Sequence, residues 1–442
     1  MTISDIFNKH FSEEQLKNIF SEHIVYSRAV GIDNLDQYSF RAQLDEQIEI
    51  LSRKARLGNY RFTKYKLKLI SKGRNKYPRE ISIPTVRDRI ALRSLCDFLD
   101  EIYSGTIEFQ LPQLVIREVK NDLIDEKYDA CIKLDVTNFY PSIKHKELIK
   151  RLGRKIRDPK IKSLISSAIS SPTVSISKET DVPALRGVPQ GLAVSNILAA
   201  IYLLNIDKNL KAIKEIKYYR YVDDVLIFCD SSNAKEIAAI VIRMFRKIGL
   251  TIHDPEKVPE KSSIGPINAG FDYLGYKFYD NIVTVRPASV DRLKQSLVSI
   301  FTSYKYSKQK SVDFLLWRLN LRVTGCIYEQ KSKGWLFFFA EINDEALLHS
   351  LDHYIKKLAL RFNVSITPKK FVRAYKELCH RKYKTHYIPN FDKYDLEQKK
   401  NVLAEYFGVS IESLEDERIE FEFKKRISKQ TKDLLEDILN IS

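Results

Sequence analysis

The stretch KYYRYVDDVLIFCD, residues 217–230, places two adjacent carboxylates, Asp223 and Asp224, inside a run of aromatic and β-branched residues. Such residues favour strands. Two like charges in that setting repel, and desolvating them is costly unless a cation or hydrogen-bond donors compensate. The chain must therefore fold so that the pair is exposed at one point or neutralised, and a bound metal would neutralise it. YYRY and VLIF read as the two arms of a hairpin, with Val222, Asp223 and Asp224 at its tip. Taken alone, an Asp-Asp pair between two strands is no more than a turn. The surrounding sequence has to decide.

At 442 residues the chain is too long for one ordinary core and is expected to form two to four domains or subdomains. Its 44% hydrophobic and 30% charged residues leave no long segment that must be disordered. Lysine and arginine number 74 against 57 acids, a net charge of +17, which favours a polyanionic partner, nucleic acid first, over a neutral metabolite. Cys96, Cys131, Cys229, Cys326 and Cys379 are scattered without a CxxC pair, which excludes a disulfide framework or zinc site and implies reduced thiols. The opening MTISDIFNKHFSEEQ has no signal-peptide core and no long apolar run follows, so a cytoplasmic protein without a membrane span is expected.

Apolar residues recur three and four apart in SEEQLKNIFSEHI and SFRAQLDEQIEILSRKARLG, a helical lead-in over residues 1–59. Alternation then sets in. YRFTKYKLKLISKGRNKYPREISIPT reads as two strands around a basic bend that carries Lys72. RDRIALRSLCDFLDEIY is helical, and DACIKLDVTNFYPSI is a strand with Asp135 near its end. A glycine-bearing turn opens the apolar helix of RGVPQGLAVSNILAAIYLLNID, EIAAIVIRMFRKIGL is another helix, and FDYLGYKFYDNIVTV is a strand pair. Strands and helices alternating in this way make an α/β core, assigned to residues 60–288. Residues 289–365 read as mainly helical, interrupted by LRVTGCIYEQKSKGWLFFF, and residues 366–442 as a basic helical region. A third carboxylate, Asp135, brought beside the pair would complete a cage for two Mg²⁺ about 3.5–4 Å apart, the arrangement of in-line phosphoryl transfer.

The ordered set IPTVRDRI, LDVTNFYPSI, RGVPQGLAVSNILAAIYL, YVDDVLIF, IGLTIHDPEK and FDYLGYKF resembles the successive motifs of reverse transcriptases. The resemblance spans about residues 55–280. It implies a right-hand polymerase with fingers and palm, a thumb-like helical region and a helical C-terminal extension. It also implies an RNA-directed DNA polymerase that uses two Mg²⁺, deoxynucleoside triphosphates and an RNA template, and yields DNA. By the same resemblance Asp135, Val136, Asp223 and Asp224 would hold metal, with Asp224 an accessory ligand. Lys72 and Arg79 would meet the triphosphate, Gly187, Gln190 and Gly191 would shape the loop against the nascent base pair, and Phe139 and Tyr140 would line the sugar pocket and select deoxynucleotides. Lys257 would donate a proton to the leaving pyrophosphate. Leu274 and Gly275 would let backbone approach the primer end.

Val323-Thr324-Gly325 is similar to the VTG element of retron enzymes, but YVDD stands where those carry YADD, and an NAxxH element is missing. The zinc-finger endonuclease of many group II intron proteins is absent as well. A defence-associated, abortive-infection or unknown-group, prokaryotic enzyme fits better, which implies antiviral defence, with a dedicated non-coding RNA as one form of template. An RNA-binding assembly protein on a polymerase scaffold is the alternative of another class. The cationic and aromatic KKFVRAYKELCHRKYKTHY suits either RNA or a solvated amphipathic helix.

Overall fold

The strand Ala130–Thr137 has no polar face: six of its eight residues are buried, and only Lys133 and Thr137 are partly exposed. That is the pattern of a strand covered on both sides. The computed structural model describes residues 1–25, 27, 29–71, 77–125, 127–307, 310–382, 384–411, 414–436 and 438. They form two compact units, one of residues 1–110 with 128–265 and the other of residues 111–127 with 266–442.

In the first unit, β1 (Tyr65–Ile70) and β2 (Arg79–Ile83) are antiparallel, with Ile70 opposite Arg79. The buried strand is β3 (Ala130–Thr137), and the short β4 (Thr173–Val174) runs parallel to β1. β5 (Lys217–Tyr221), β6 (Asp224–Cys229) and β7 (Thr251–Ile252) join β3 in a second sheet whose path runs β5-β6-β3-β7. All six residues of β6 are buried. The helix Ser195–Lys211 is buried nearly all round, as its run of alanine, leucine and isoleucine requires. The helix Ala234–Lys247 is amphipathic instead and buries Ala234, Ala238, Val241 and Phe245 on one stripe.

The β1–β2 hairpin is tied down by a buried acid. Asp88 lies in the first turn of the helix Val86–Tyr103, with its amide N–H bonded to the Thr85 hydroxyl at 3.2 Å. Its carboxylate accepts from the Tyr60 hydroxyl at 2.6 Å, from the Thr63 amide at 3.0 Å and from the Thr63 hydroxyl. The approach to β1 is thereby fixed to the helix that follows β2.

In the second unit, Phe271–Tyr273, Tyr276–Tyr279 and Ile282–Val285 form a three-stranded antiparallel sheet, one strand more than the pair expected. Helices at Pro287–Tyr306, Val312–Thr324, Glu345–Arg361, Phe371–Arg381, Leu396–Phe407 and Asp416–Glu436 make up most of the rest. The interruption after Thr324 is a tight hairpin of Cys326–Tyr328 with Lys331–Lys333. A side chain at Gly325, where φ is +65°, would collide with the Lys333 carbonyl, so the glycine of the VTG element has a steric reason to be there. The last helix buries Ile419, Phe423, Ile427 and Leu434 in a core shared with Leu321, Phe391 and Leu403.

Replacing Asp88 with alanine strands the Tyr60 hydroxyl and the Thr63 amide in the interior, each costing about 1–3 kcal/mol. Tyr60→Phe removes one hydrogen bond and its donor together. We expect a marked fall in the thermal unfolding midpoint for Asp88→Ala and a smaller one for Tyr60→Phe; equal midpoints would show that Asp88 anchors nothing.

Candidate active site

β5 ends at Tyr221 and β6 begins at Asp224, directly opposite, so the turn consists of Val222 and Asp223 alone. Asp224 is thus the first residue of a buried strand, and Asp223 is the acid of the turn. Val222 has φ +56°, a region that β-branched residues avoid. Arg220 holds it there. One guanidinium nitrogen donates to the Val222 carbonyl at 2.8 Å, and two others grip Asp207 of the helix Ser195–Lys211 at 2.7 and 2.5 Å. The Tyr218 hydroxyl also donates to Asp207, at 2.8 Å. The Arg220 and Asp207 side chains are only 14% and 16% exposed, and a charge pair this enclosed is costly to break by removing one partner.

β3 and β6 pair so that Asp135 stands opposite Asp224. Both are buried. Burial, reinforced by Asp223 and Asp135, pushes the Asp224 carboxyl up to about 7, while Lys133 and Lys261 oppose the shift. Asp223 is raised as well, first by burial and further by Asp135, with Arg79 and Lys261 pulling the other way. The three acids do not offer one oxygen each within 4.8 Å of one another; among the described residues Cys96, Asp97 and Asp100 form such a group. The triad nevertheless supplies only carboxylate oxygens, the ligand type that suits a hard divalent cation.

Asp135 is wrapped by the IGLTIHDPEK segment and the residues just after it, of which the sequence singles out Lys257 but not His253, Lys261 or Ser262. His253 Nε2 and Lys261 Nζ each lie 3.4 Å from Asp135 Oδ2. The His253 amide donates to the Asp135 carbonyl at 3.0 Å, and the Asp135 amide donates to the buried Ser262 hydroxyl at 3.0 Å. Lys257 is held differently: its side chain is 80% exposed and its ion pair is with Asp254, at 3.9 Å. Val136 is buried, opposite Ile252 on β7.

The loop after Arg186 joins two parts of the site. Gly187 donates to the Ile143 carbonyl at 2.7 Å and Val188 to the Tyr140 carbonyl at 2.9 Å, while the Gln190 carbonyl accepts from Ser82 at 2.7 Å. Gly191 has φ +99°, and a Cβ there would sit 2.8 Å from Ile81 Cγ2, so only glycine fits against β2. Arg79 opens β2, and its charge acts on both Asp223 and the Tyr140 hydroxyl. Tyr140 is half-buried, and its hydroxyl donates to Asn196 Oδ1 at 2.6 Å. Phe139, 5.3 Å from it ring to ring, is buried in the main core. Lys72 lies outside the described residues. Leu274 and Gly275, with φ of +48° and +82°, make the turn between two strands of the second unit.

Residues 70–278 match the model of the family described as Reverse transcriptase (RNA-dependent DNA polymerase). The matched stretch is a little under half of the chain, has a mixed α/β fold, and is similar to that family, which is described as RNA-dependent DNA polymerases. Among curated proteins, Protein YkfC of Escherichia coli (strain K12) is a distant relative, 24% identical, with the match covering 56% of this chain and 75% of that protein. Among solved structures, apo telomerase from Candida tropicalis truncated from its C-terminal domain is 16% identical with a TM-score of 0.40, over 51% of this chain and 55% of that one. Telomerase from Candida albicans in complex with a TWJ fragment of telomeric RNA is 13% identical with a TM-score of 0.44, over 89% of this chain and 67% of that one. The chain thus spans little more than half the length of the first of these. No helix among the described residues is long and apolar enough to cross a membrane.

The raised Asp224 fixes a pH dependence. Between its ordinary value of 3.8 and about 7 the folded protein holds a proton that the unfolded chain has released, so stability is fullest below that window and falls as pH rises through it. Metal-free wild-type protein should lose unfolding free energy from pH 4 to 7, and Asp224→Asn should remove most of that slope. Denaturant titrations at each pH measure it; identical slopes for the two proteins would refute the assignment.

Proposed function

We propose that this chain is a reverse transcriptase that extends a primer or priming group with deoxynucleotides on an RNA template and serves antiviral defence in a prokaryote. The observation that carries the polymerase reading is the β3–β6 register, which sets Asp135 opposite Asp224 with Asp223 in the adjoining turn. The defence role is supported by the resemblance to defence-associated enzymes, which join this core to a private helical C-terminal region.

In this reading Asp135 and Asp223 are the main metal ligands, Asp224 is accessory, and Val136 contributes its carbonyl. Two Mg²⁺ there would supply charge stabilisation to the transferring phosphoryl group. Arg79, and Lys72 with it, bind the triphosphate, for which fixed cations are suited. Gln190 and Gly191 border the nascent pair, where the lack of a side chain at Gly191 lets the loop lie close on β2. Tyr140, rather than the core residue Phe139, meets the sugar and selects deoxyribose. Leu274 and Gly275 face the primer end. Of the two lysines, Lys261 is the better placed to give a proton to the departing pyrophosphate, since its ammonium already lies beside Asp135, whereas Lys257 is turned to solvent. Arg220 is a positioning residue that fixes the turn.

Asp223→Asn is expected to melt near the wild-type temperature and to incorporate no deoxynucleotide on a primed RNA template with Mg²⁺. Lys261→Ala should slow incorporation about 10²-fold or more, as loss of a general acid does, with Lys257→Ala near wild type. Full incorporation by folded Asp223→Asn would overturn the assignment, and the reverse order for the two lysines would return the proton to Lys257.

A further inference from the structure

Two cavities of the second unit meet at a single peptide bond. The first is a groove of about 750 Å³ between the helices Glu345–Arg361 and Phe371–Arg381, lined by Lys356, Lys370, Arg373, Lys376 and Arg381. Its two acids are engaged locally. Asp352 accepts from the Phe371 and Val372 amides at 2.6 and 3.4 Å, and Glu377 pairs with Arg373 at 3.6 Å. Among the described residues no ion pair takes up Lys356, Lys370 or Arg381, so the groove has an uncompensated positive charge suited to more than one phosphate.

The second cavity, of about 450 Å³, has a different chemistry. Trp317, Tyr394 and Tyr406 form its aromatic lining, with Trp317 stacked on Tyr406 at 5.5 Å and on Phe314 at 6.1 Å, and Asn320, Gln398 and Asn401 provide amides. Asn320 Oδ1 accepts from the Lys369 amide at 2.7 Å and Gln398 Oε1 from the Asp395 amide at 3.1 Å, which leaves the NH₂ group of each side chain. The Asn401 amide has no hydrogen bond among the described residues. Asp313 and Glu405 add acceptors. Flat apolar walls with amide donors and acceptors at the rim fit the face and edge of one nucleobase. Lys369 lines this cavity and Lys370 the groove. Tyr387 braces the joint: its hydroxyl accepts from the Lys370 amide at 2.8 Å, and its ring lies 5.1 Å from the Arg373 guanidinium.

We propose that groove and cavity are one site for single-stranded RNA, the groove holding backbone phosphates and the cavity one unstacked base. A paired duplex keeps its bases stacked and cannot fill the cavity, whereas a loop or unpaired end can. The carboxylates of Asp313 and Glu405 accept from exocyclic amino groups, which adenine and cytosine carry and uracil lacks. The choice of RNA over single-stranded DNA rests on the reading of the chain as an RNA-directed polymerase.

Anisotropy titrations of the full chain with 12-nucleotide A, C and U oligoribonucleotides, a 12-base-pair RNA duplex and oligo-dA, at several salt concentrations, test the site. Single strands should bind more tightly than the duplex, and A and C several-fold more tightly than U. Lys356→Glu with Lys370→Glu should weaken all three strands at least about tenfold and flatten the salt dependence, each lost phosphate contact removing about 0.7 from the log–log slope. Asp313→Ala with Glu405→Ala should erase the preference over U while the lysine-dependent salt slope persists. Melting curves show that each variant is folded. Unchanged affinity and slope in the double lysine variant, a retained base preference in Asp313→Ala with Glu405→Ala, or a duplex bound as tightly as single strands overturns the site; oligo-dA bound as well as oligo-A overturns the choice of RNA. Primer extension by the wild type is read separately, so a failure of the polymerase reading shows there and not in these curves.

Discussion

Two carboxylates face each other across an antiparallel strand pair, Asp135 on β3 and Asp224 on β6, and the first unit is arranged around that repulsion. Like charges directly opposite on a sheet are destabilising, and here both are also withdrawn from water. The neighbourhood is correspondingly cationic. Lys261 and His253 approach Asp135, while Lys133 and Arg79 temper the other two acids. The register is pinned by packing on both faces of β6, because a one-residue slip would exchange the neighbours of every one of its six buried side chains.

Much of this could be read from the chain itself. The hairpin arms, the strand that ends near Asp135 and the apolar helix after the glycine turn are each encoded locally, in alternation, charge and turn chemistry. What could not be read are relations between distant residues. Arg220 lies inside the quoted YYRYVDD stretch, yet its importance comes from Asp207, which helix geometry brings within reach. Lys261 and Ser262 matter because their turn folds back over Asp135, 127 residues earlier in the case of Ser262. Phe139 and Tyr140 look equivalent in sequence, and only packing sends one into the core.

The turn between β5 and β6 also shows where local preference gives way. A valine in left-handed conformation is disfavoured on its own, and the three hydrogen bonds of Arg220 over-determine it. Strain of this kind, of order 1–3 kcal/mol, persists only where the surroundings impose it. The acid that follows Val222 is thereby kept in one place without support from its own backbone preference.

The helix Pro112–Ile124 belongs to the second unit although the chain on both sides of it belongs to the first. Its Arg117 donates to Glu341 at 3.1 and 2.7 Å, and Lys120 to the Glu341 carbonyl at 2.8 Å. Arg117 and Glu341 are 224 residues apart. On a ribosome that adds about 5–20 residues per second, the helix emerges some 10–45 s before its partner exists. For that interval Val115, Ile116 and Val119, buried in the finished protein, are without their final cover. The hydrogen bonds of Arg117 and Lys120 to Glu341 are therefore among the contacts of the second unit that can form only late in synthesis.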